Sequence, residues 1–333
     1  HQAGASTAEL QRWLRSHRIR VVHSTVARWL TKHSATRCSL MATFRAPAAQ
    51  AAKIMQKLQG GVLRSVGTVR NYESALTRVA EWTTSARISG GLTAITPAIA
   101  VQYLEQRGQE VGQKSLDMER QAMQAMMQHV TGQLPTGERL PVIQSEQAQV
   151  LSGRAYTPEQ AQRIAAAQSE QHGLATLIAH TAGLRAHELL TLRRGDERAP
   201  DPRPALDSKW QGRDGVSYTV QGKGGLVREV RLPHDLAARL EARVLATPQT
   251  ITDRGIHYQS HYDIGGGQRW SNSVSAASER VLGWSTGAHG LRHSYAQERM
   301  NELQYSLNRE SALETVSQEM GHFRPEITET YLR

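Results

Sequence analysis

Only one stretch of the chain alternates like a pair of strands, and the rest is mostly helical in pattern. Residues 216–233, VSYTVQGKGGLVREVRLP, alternate on both sides of a glycine-rich turn, which is typical of a β-hairpin. Aromatic residues make up only 5% of the chain and there are two Phe, so a core must come from Ala, Leu, Val and Ile. That mixture favours helices over sheets. The sequence therefore predicts a mainly α protein with a small β-sheet or hairpin.

The length and the distribution of Pro and Gly predict more than one domain. A chain of 333 residues fits two or three domains. Residues 133–151 combine prolines and glycines with little periodicity, which indicates an interdomain linker. Before it, three amphipathic stretches predict a helical domain over 62–132. An Ala/Gln-rich segment at 41–61 precedes it and reads as a tether or as a lone helix that ends at Gly60 and Gly61. After it, 152–333 form the domain that contains the hairpin.

Positive charge is concentrated at the start of the chain. The net charge is +10 and the pI is near 10, which points to a polyanionic partner. Residues 1–60 hold ten of the 40 Lys and Arg but only one of the 30 Asp and Glu, Glu9. The remainder is nearly balanced. A basic head on a balanced body favours nucleic acid as the partner, the alternative being a solvated basic tail.

Residues 1–40 read as two short helices within this head. HSTVARWL resembles the recognition-helix half of the helix-turn-helix domains found in transposases and repressors. Four side chains would then face DNA: Ser24, Thr25, Arg28 and Lys32. Many small helical hairpins have this pattern, and a helix-turn-helix can also bind protein. A partner-binding function for the head therefore stays open.

The number of cysteines and the hydropathy of the sequence limit the cellular compartments in which the protein is expected. The single cysteine, Cys38, excludes an internal disulfide framework and fits a reducing environment. No apolar run approaches 18 residues, and the start of the sequence has no signal-peptide pattern. These features predict a soluble cytoplasmic protein with no membrane partner.

Two fragments place charged side chains at turns of the second half. HTAGLRAHELL puts Arg185 just after a glycine, between helices, with Glu188 one helical turn further on. QGKGG puts Lys223 at the tip of the predicted hairpin, where a long amine can reach a neighbouring groove. Taken singly, each residue is better explained in the ordinary way, Arg185 by a surface ion pair and Lys223 by a solvated turn.

Two further fragments lie near the end of the chain. HGLRHSYA spaces His289 and Arg292 by three, so both side chains share one helical face. MGHFRPEITETYLR places His322 after a glycine that ends a helix, and Pro325 opens a final helix that carries Tyr331. An exposed helical face and a helix cap are the ordinary explanations of these residues.

Together, the four fragments fit attack on a phosphodiester. Two arginines can grip the non-bridging oxygens and stabilise the charge of a pentacoordinate transition state. A lysine or histidine can protonate the leaving alkoxide, and a tyrosine hydroxyl near cations can be the nucleophile. The arginines would replace a metal, and no carboxylate cluster for paired Mg²⁺ is visible, so neither metal nor cofactor is expected.

In order and context these motifs resemble the tyrosine recombinases, the phage-integrase-like family of site-specific DNA recombinases. The resemblance covers about residues 62–333. It implies a C-shaped DNA clamp made of a helical core-binding domain and a mixed α/β catalytic domain. It also implies six catalytic residues and one supporting acid: Arg185, Lys223, His289, Arg292, His322 and Tyr331, with Glu188 as the acid.

The resemblance implies a role for each of these residues. Tyr331 attacks the scissile phosphate and leaves a 3′-phosphotyrosine and a free 5′-hydroxyl. Arg185 and Arg292 clamp the phosphate with help from the two histidines. Lys223 is the acid for the 5′-oxygen, and Glu188 orients Arg185. The phosphoester energy is conserved in the covalent bond, so ATP is not required.

The partners and outcome follow from the same resemblance. The implied partner is double-stranded DNA with specific recombination sites. Four protomers would exchange strands through a Holliday junction, with a monomer or dimer away from DNA and room for an accessory protein. The basic head favours a mobile-element recombinase of a prokaryotic nucleoid, acting in integration, excision or cointegrate resolution. Two alternatives remain: a type IB-like topoisomerase, and a non-catalytic architectural DNA-binding protein on the same fold.

The chain departs from the family pattern in two places. Family members commonly continue past the tyrosine with a segment that docks on a neighbouring protomer, whereas only Leu332 and Arg333 follow here. That contact is then made elsewhere, or the chain is truncated. Residues 246–288 are long and polar, and we expect either an inserted loop that contacts DNA or another protomer, or a solvated excursion.

Overall fold

The structure is a computed structural model that describes residues 46–63, 66–149, 152–322 and 324–333. The chain divides into two compact units, His1–Gln149 and Val150–Arg333. Each described unit has its own hydrophobic core. The residues predicted to contact DNA from the basic head lie outside the described residues: Ser24, Thr25, Arg28 and Lys32.

The regular elements in the described part of the first unit are helices, apart from an isolated bridge between Gln59 and Leu63. Its helices in chain order are α1 (Pro47–Leu58), α2 (Val66–Ser85), a 3₁₀ turn (Gly91–Ala94), α3 (Pro97–Gly108) and α4 (Gln113–Met126), which continues as a π turn (Met127–Thr131). The start of α3 shows why the chain turns helical there. Thr96 caps the helix by accepting from the Ile99 backbone N–H, and Pro97 occupies the first turn.

A buried carboxylate ties three helices of this unit together. Glu119 on α4 is fully buried. It accepts hydrogen bonds from Tyr103 Oη at 2.7 Å, Arg78 Nε at 2.9 Å and Arg107 Nε at 3.2 Å. A buried carboxylate is tolerable only when it is paired and hydrogen-bonded in this way. These bonds therefore fix how α2, α3 and α4 pack.

The structure packs parts of the predicted tether and linker into the core of the first unit. Within the predicted tether 41–61, α1 is a helix whose residues Ala51 and Leu58 are buried in the core of the first unit. Within the predicted linker 133–151, Leu134 and Leu140 are buried in the same core. The prediction missed this packing because small and isolated apolar side chains are buried only when a neighbouring element covers them.

The second unit combines seven helices with two small antiparallel sheets among its described residues. The helices are α5 (Pro158–Ala166), α6 (Glu170–Ala182), α7 (His234–Glu241), α8 (Gly267–Leu282), α9 (His289–Leu303), α10 (Arg309–Glu319) and α11 (Pro325–Glu329). The strands are β1 (Arg193–Arg194), β2 (Val216–Gln221) and β3 (Val227–Leu232) in one sheet, and β4 (Val244–Asp253) and β5 (Ile256–Tyr262) in the other. The predicted mainly α fold with a small sheet is confirmed. None of the described helices is long and apolar enough to cross a membrane.

The predicted hairpin is β2 and β3. The strands pair antiparallel from Val216 opposite Leu232 to Gln221 opposite Val227, and the turn between them includes Lys223–Gly225. Burial alternates along β3, as the period of a strand requires. Arg228 occupies the first of its inward-facing positions, and the next two, Val230 and Leu232, are buried in the core.

The polar segment 246–288 is more ordered than predicted. It contributes most of β4, all of β5 and helix α8. Polar side chains on β4 and β5 bond to each other across the strands, as Thr250 does with Gln259 and Thr252 with His257, both at 2.8 Å. Cross-strand pairing satisfies side chains that the sequence pattern alone assigns to a loop.

Gly183, which ends α6, is expected to be intolerant of any side chain. Its φ is +59°, and a Cβ there would lie 2.7 Å from the Tyr295 ring. We expect Gly183→Ala to lower the free energy of unfolding by about 2–3 kcal/mol, because strain and overpacking add. Chemical denaturation measures the change.

Gly283→Ala is the matched control for this substitution. Gly283 ends α8 with a φ of +79°, but a Cβ there meets nothing within 4 Å. It should therefore show only the strain, about 1 kcal/mol. Equal losses in the two variants would contradict the tight packing at Gly183.

Candidate active site

Arg292 on α9 is the centre of a buried cluster. Its side chain is fully buried, and its Nη1 donates to the carbonyl of Gly183. Its Nη2 donates to the carbonyl of Met320 at 2.6 Å and contacts Nε2 of His322 at 2.9 Å. One guanidinium thereby joins three segments: its own helix, the end of α6, and the chain that leaves α10.

One donor of Arg292 is left over. Its Nε is buried and has no hydrogen-bond partner in the described part of the chain. Burial lowers the pKa of Arg292 to about 10, and the nearby Arg185 cation contributes. The group is still a cation at neutral pH. A buried, charged donor without a protein partner is a candidate contact for a bound water or anion.

Glu188 holds Arg185 in place. Its Oε1 accepts from Arg185 Nη1 at 2.8 Å, and its Oε2 accepts from the Arg185 backbone N–H at 2.9 Å and from Arg228 Nη2 at 2.8 Å. Burial alone would raise the pKa of Glu188, but the cations Arg228, Arg292 and Arg185 outweigh it and hold that pKa well below its usual range. Glu188 is therefore an ionised carboxylate that positions arginines.

Arg185 is the accessible arginine of the cluster. It lies in the loop after α6, and 25% of its side chain is exposed, whereas Arg292 is fully enclosed. The β2–β3 turn comes close to the same carboxylate, since a Cβ at Gly222 would lie 3.3 Å from Oε1 of Glu188. The structure thus brings the backbone of Lys223, the next residue, to the edge of the cluster.

Tyr331 packs its ring against this cluster. The ring centroid lies 5.3 Å from that of His289, 4.8 Å from that of His293 and 5.3 Å from that of His322. The guanidinium carbon of Arg292 lies 5.5 Å from the same ring. Only 8% of Tyr331 is exposed. A residue two positions from the last residue of the sequence is therefore enclosed by cationic and imidazole side chains.

The backbone around Tyr331 is held from α9. His293 Nδ1 donates to the Tyr331 carbonyl at 3.2 Å. Gln297 Nε2 donates to the same carbonyl at 3.2 Å and to the carbonyl of Arg333 at 2.7 Å. The structure differs in one detail from the predicted final helix that carries Tyr331, because α11 ends at Glu329. Tyr331 lies in the turn that follows.

The hydrogen bonds of His322 define its tautomer. Arginine can only donate, so Nε2 of His322 accepts from Arg292, and Nδ1 carries the proton and donates to Thr328 Oγ1 at 2.7 Å. Burial lowers the pKa of His322 to about 3, and the cations Arg292 and Arg185 add to the effect. The imidazole beside the tyrosine ring is neutral at physiological pH.

Acidification is expected to destabilise this region through His293. Burial, with help from Arg154, lowers the pKa of His293 to about 4, whereas an unfolded histidine titrates near 6.5. Between these values the unfolded chain binds more protons, so stability falls as the pH falls and the His293 contribution is gone below about pH 4. We expect this contribution to shrink by about 2 kcal/mol between pH 7 and pH 5.

Urea unfolding of the wild type and His293→Gln at both pH values measures the effect. The variant lacks the titrating ring, so its stability should depend less on pH by about the same amount. An unchanged pH dependence in the variant would contradict a neutral, buried His293.

Six of the seven residues predicted for the site are brought together by their side chains, and Lys223 by its backbone. The six are Arg185, Glu188, His289, Arg292, His322 and Tyr331. No group of three His, Cys, Asp or Glu side chains in the described ranges is arranged to hold a metal ion.

Sequence reasoning missed three residues that shape the site. Arg228 bonds Glu188, His293 holds the Tyr331 backbone, and Thr328 fixes the His322 tautomer. Two of them left a signal in the sequence. An arginine at an inward-facing position of the alternating strand β3 indicates a buried charge, and His293 follows His289 by four residues on one helix.

Comparison with known proteins supports the fold at low sequence identity. No model of a protein family matches the chain, and no curated protein matches it. Three of the similar solved structures are DNA complexes. XerH site-specific recombinase bound to a palindromic difH substrate is 17% identical over 86% of this chain and 81% of its own, with a TM-score of 0.53.

The other two structures are integrases. The Tn1549 transposon integrase in complex with transposon right end DNA is 15% identical over 87% of this chain and 95% of its own, with a TM-score of 0.52. A lambda integrase tetramer bound to a Holliday junction is 15% identical over 86% of this chain and 77% of its own, with a TM-score of 0.54. At these identities the comparison concerns the fold, and the resemblance predicted from the motifs is confirmed at that level.

Proposed function

We propose that this chain, which has the fold of site-specific recombinases and integrases, is itself a tyrosine site-specific DNA recombinase. It cuts and rejoins DNA strands through a 3′-phosphotyrosine intermediate. The observation that carries the proposal is the position of Tyr331, whose ring lies 5.5 Å from the guanidinium carbon of the buried Arg292 and among three imidazoles. A phenol enclosed by a cation and neutral bases is suited to act as a nucleophile.

The proposed chemistry uses the arginines on the phosphate. Arg185 is open to solvent and Arg292 has a free buried donor, so the two can bind the non-bridging oxygens of a scissile phosphate. Tyr331 Oη attacks phosphorus, and the bond from phosphorus to the 5′-oxygen breaks. The products are a 3′-phosphotyrosine and a free 5′-hydroxyl. Attack by that hydroxyl, or by one from another strand, reverses the step and releases Tyr331.

Protons move through the neutral bases and a lysine. The low pKa of His322 comes from burial and from the cations Arg292 and Arg185. A bound phosphate brings negative charge that opposes those cations, so it raises the pKa of the neighbouring histidines. His289 then accepts the phenol proton, because Nε2 of His322 already accepts from Arg292. Lys223 donates a proton to the leaving 5′-oxygen. Glu188 keeps Arg185 aimed at the phosphate.

The remaining parts of the chain would address the enzyme to its site. In this proposal the first unit and the basic head bind duplex DNA, the head through Ser24, Thr25, Arg28 and Lys32. Lambda integrase forms a tetramer on a Holliday junction. We extend that arrangement to this chain, with strand exchange for a mobile element in a prokaryotic cytoplasm. Binding by the head should weaken steeply with salt, because its contacts are to phosphates.

A covalent-adduct experiment tests the function. Duplexes that the full chain binds are first selected from a random library. Versions of the selected duplex are then nicked at each position near its centre, so that cleavage releases a short fragment and traps the adduct. The protein is incubated with them in EDTA. We expect an adduct on a denaturing gel, linked through a DNA 3′-phosphate to Tyr331 when the peptide is mapped by mass spectrometry.

Other results would favour the alternatives. A duplex that is bound but never forms an adduct at any nick position would overturn the proposal in favour of an architectural protein. Relaxation of supercoiled plasmid without any joining of two labelled sites would indicate a type IB-like topoisomerase. Joined products from two selected sites would support recombination.

A further inference from the structure

A third arginine, Arg228, is buried next to Arg185 and Arg292, the two arginines that are proposed to bind phosphate. Arg228 on β3 is 5% exposed. Its Nη1 donates to the carbonyl of Glu319 at 2.8 Å, and its Nη2 donates to Glu188 Oε2 at 2.8 Å and to the Gly183 carbonyl at 3.4 Å. Its side chain therefore spans from the loop that carries Arg185 to the end of α10.

Arg228 and Arg292 bind the same two segments. Both donate to the carbonyl of Gly183. At the end of α10, Arg228 binds the carbonyl of Glu319 and Arg292 binds that of Met320, the next residue. Two guanidinium groups therefore each connect the loop that carries Arg185 to the segment that leads into His322, and together they fix the distance between these segments.

The stem of Arg228 also packs against that segment. A Cβ added at Gly321 would lie 2.7 Å from Cδ of Arg228, so the backbone just before His322 rests on the arginine side chain. Contact this close is possible only because residue 321 is glycine, whose φ here is +70°. Movement of Arg228 would therefore shift the backbone at Gly321, the residue before His322.

The charges show why an arginine is needed at this position. Glu188 is fully buried and accepts from Arg185 and Arg228 through both of its oxygens. Without Arg228, the carboxylate would be compensated by Arg185 and Arg292 alone. The positive charge of these two arginines would then be neutralised by Glu188 to a larger extent, and they would attract an incoming anion less strongly.

We propose that Arg228 is a positioning residue that compensates Glu188 and fixes the geometry of Arg185, Arg292 and His322 around the phosphate. The inference rests on the proposed function, but neither the motif resemblance nor the mechanism above assigns Arg228 a role. The hydrogen bonds of Arg228 go to Glu188 and to the backbone carbonyls of Gly183 and Glu319, so it acts through these groups.

Single-turnover cleavage of the trapped-adduct substrate tests the proposal. We expect Arg228→Met to slow cleavage by about 100-fold, because small displacements of catalytic groups have effects of this size. Arg228→Lys keeps the positive charge but cannot bridge both segments. Its cleavage rate should lie between those of the wild type and Arg228→Met, about 10-fold below the wild type. Arg231→Met is the matched control, since it removes one positive charge from the same strand and Arg231 does not bind Glu188. It should cleave like the wild type.

A second substrate separates positioning from general damage. A methylphosphonate at the scissile position replaces one charged oxygen by a methyl group, so less positive charge is needed there. On this substrate we expect the loss of cleavage rate in Arg228→Met to be smaller by a factor of at least about ten. The reason is that the variant lacks electrostatic stabilisation of the phosphate charge, which this substrate needs less. Adding Glu188→Gln to Arg228→Met should likewise recover part of the rate, since no uncompensated carboxylate remains.

The opposing results are distinct. Wild-type rates in Arg228→Met overturn the inference while the proposed function stands. An equal defect on both substrates, with no recovery in the double variant, shows that Arg228 only stabilises the fold and also overturns it. If the wild-type protein forms no adduct, the proposed function fails. Thermal unfolding of Arg228→Met, of Glu188→Gln and of the double variant then still tests the pairing of Arg228 with Glu188. Additive changes in Tm would refute that pairing.

Discussion

Replacing Tyr331 by phenylalanine is expected to abolish the covalent adduct while leaving the fold and DNA binding close to wild type. The ring keeps its contacts with His289, His293 and His322, so only the hydroxyl is lost. Removing the nucleophile of an enzyme that works through a covalent intermediate reduces the rate by about 10⁴–10⁶-fold, which here means to background. Adduct formation on the trapped substrate, electrophoretic mobility shift and thermal unfolding measure the three properties.

Tyr305→Phe is the control for this substitution. Tyr305 lies in the same unit with 93% of its surface exposed, so its hydroxyl should be dispensable. An adduct formed by the Tyr331 variant at wild-type yield would show that another side chain is the nucleophile. A variant that no longer binds the selected duplex would place Tyr331 in DNA binding instead of chemistry.

Arg292→Lys is expected to slow cleavage by about 10²–10³-fold and to destabilise the fold as well. The three donors of a lysine ammonium share one nitrogen, whereas the planar guanidinium reaches the Gly183 carbonyl, the Met320 carbonyl and His322 together. The Gly183 carbonyl keeps Arg228 as a donor, but the Met320 carbonyl and Nε2 of His322 lose theirs. We therefore expect a loss of about 2–3 kcal/mol in the free energy of unfolding. Single-turnover cleavage and chemical denaturation measure the two effects.

Arg194→Lys provides the comparison. Arg194 pairs with Asp196 at the surface, so exchanging it for lysine should change stability by less than about 0.5 kcal/mol and leave cleavage unchanged. Retention of wild-type cleavage by the Arg292 variant would remove Arg292 from the phosphate site. A large loss of rate without loss of stability would mean that the backbone carbonyls matter less than the phosphate contact.

The elements predicted most reliably are those with a strong local pattern. The alternation over 216–233 predicted β2 and β3, and the spacing of His289 and Arg292 placed both residues on one helix, which is α9. Both features depend on the backbone period alone, so nearby residues suffice to specify them. The segments 41–61 and 246–288 were less predictable, because their order depends on packing or pairing with other elements.

The order of the chemical groups along the chain, and the kind of local element that carries each group, can be read from the amino-acid sequence. How the groups meet depends on tertiary packing. Arg292 reaches the carbonyl of Gly183, 109 positions earlier, and Arg228 reaches that of Glu319, 91 positions later. No local period encodes such contacts, because they form only when the cores of α6, α9 and α10 are packed. That packing made Arg228 and His293 parts of the site and enclosed Tyr331, whose sequence position alone suggests a frayed end.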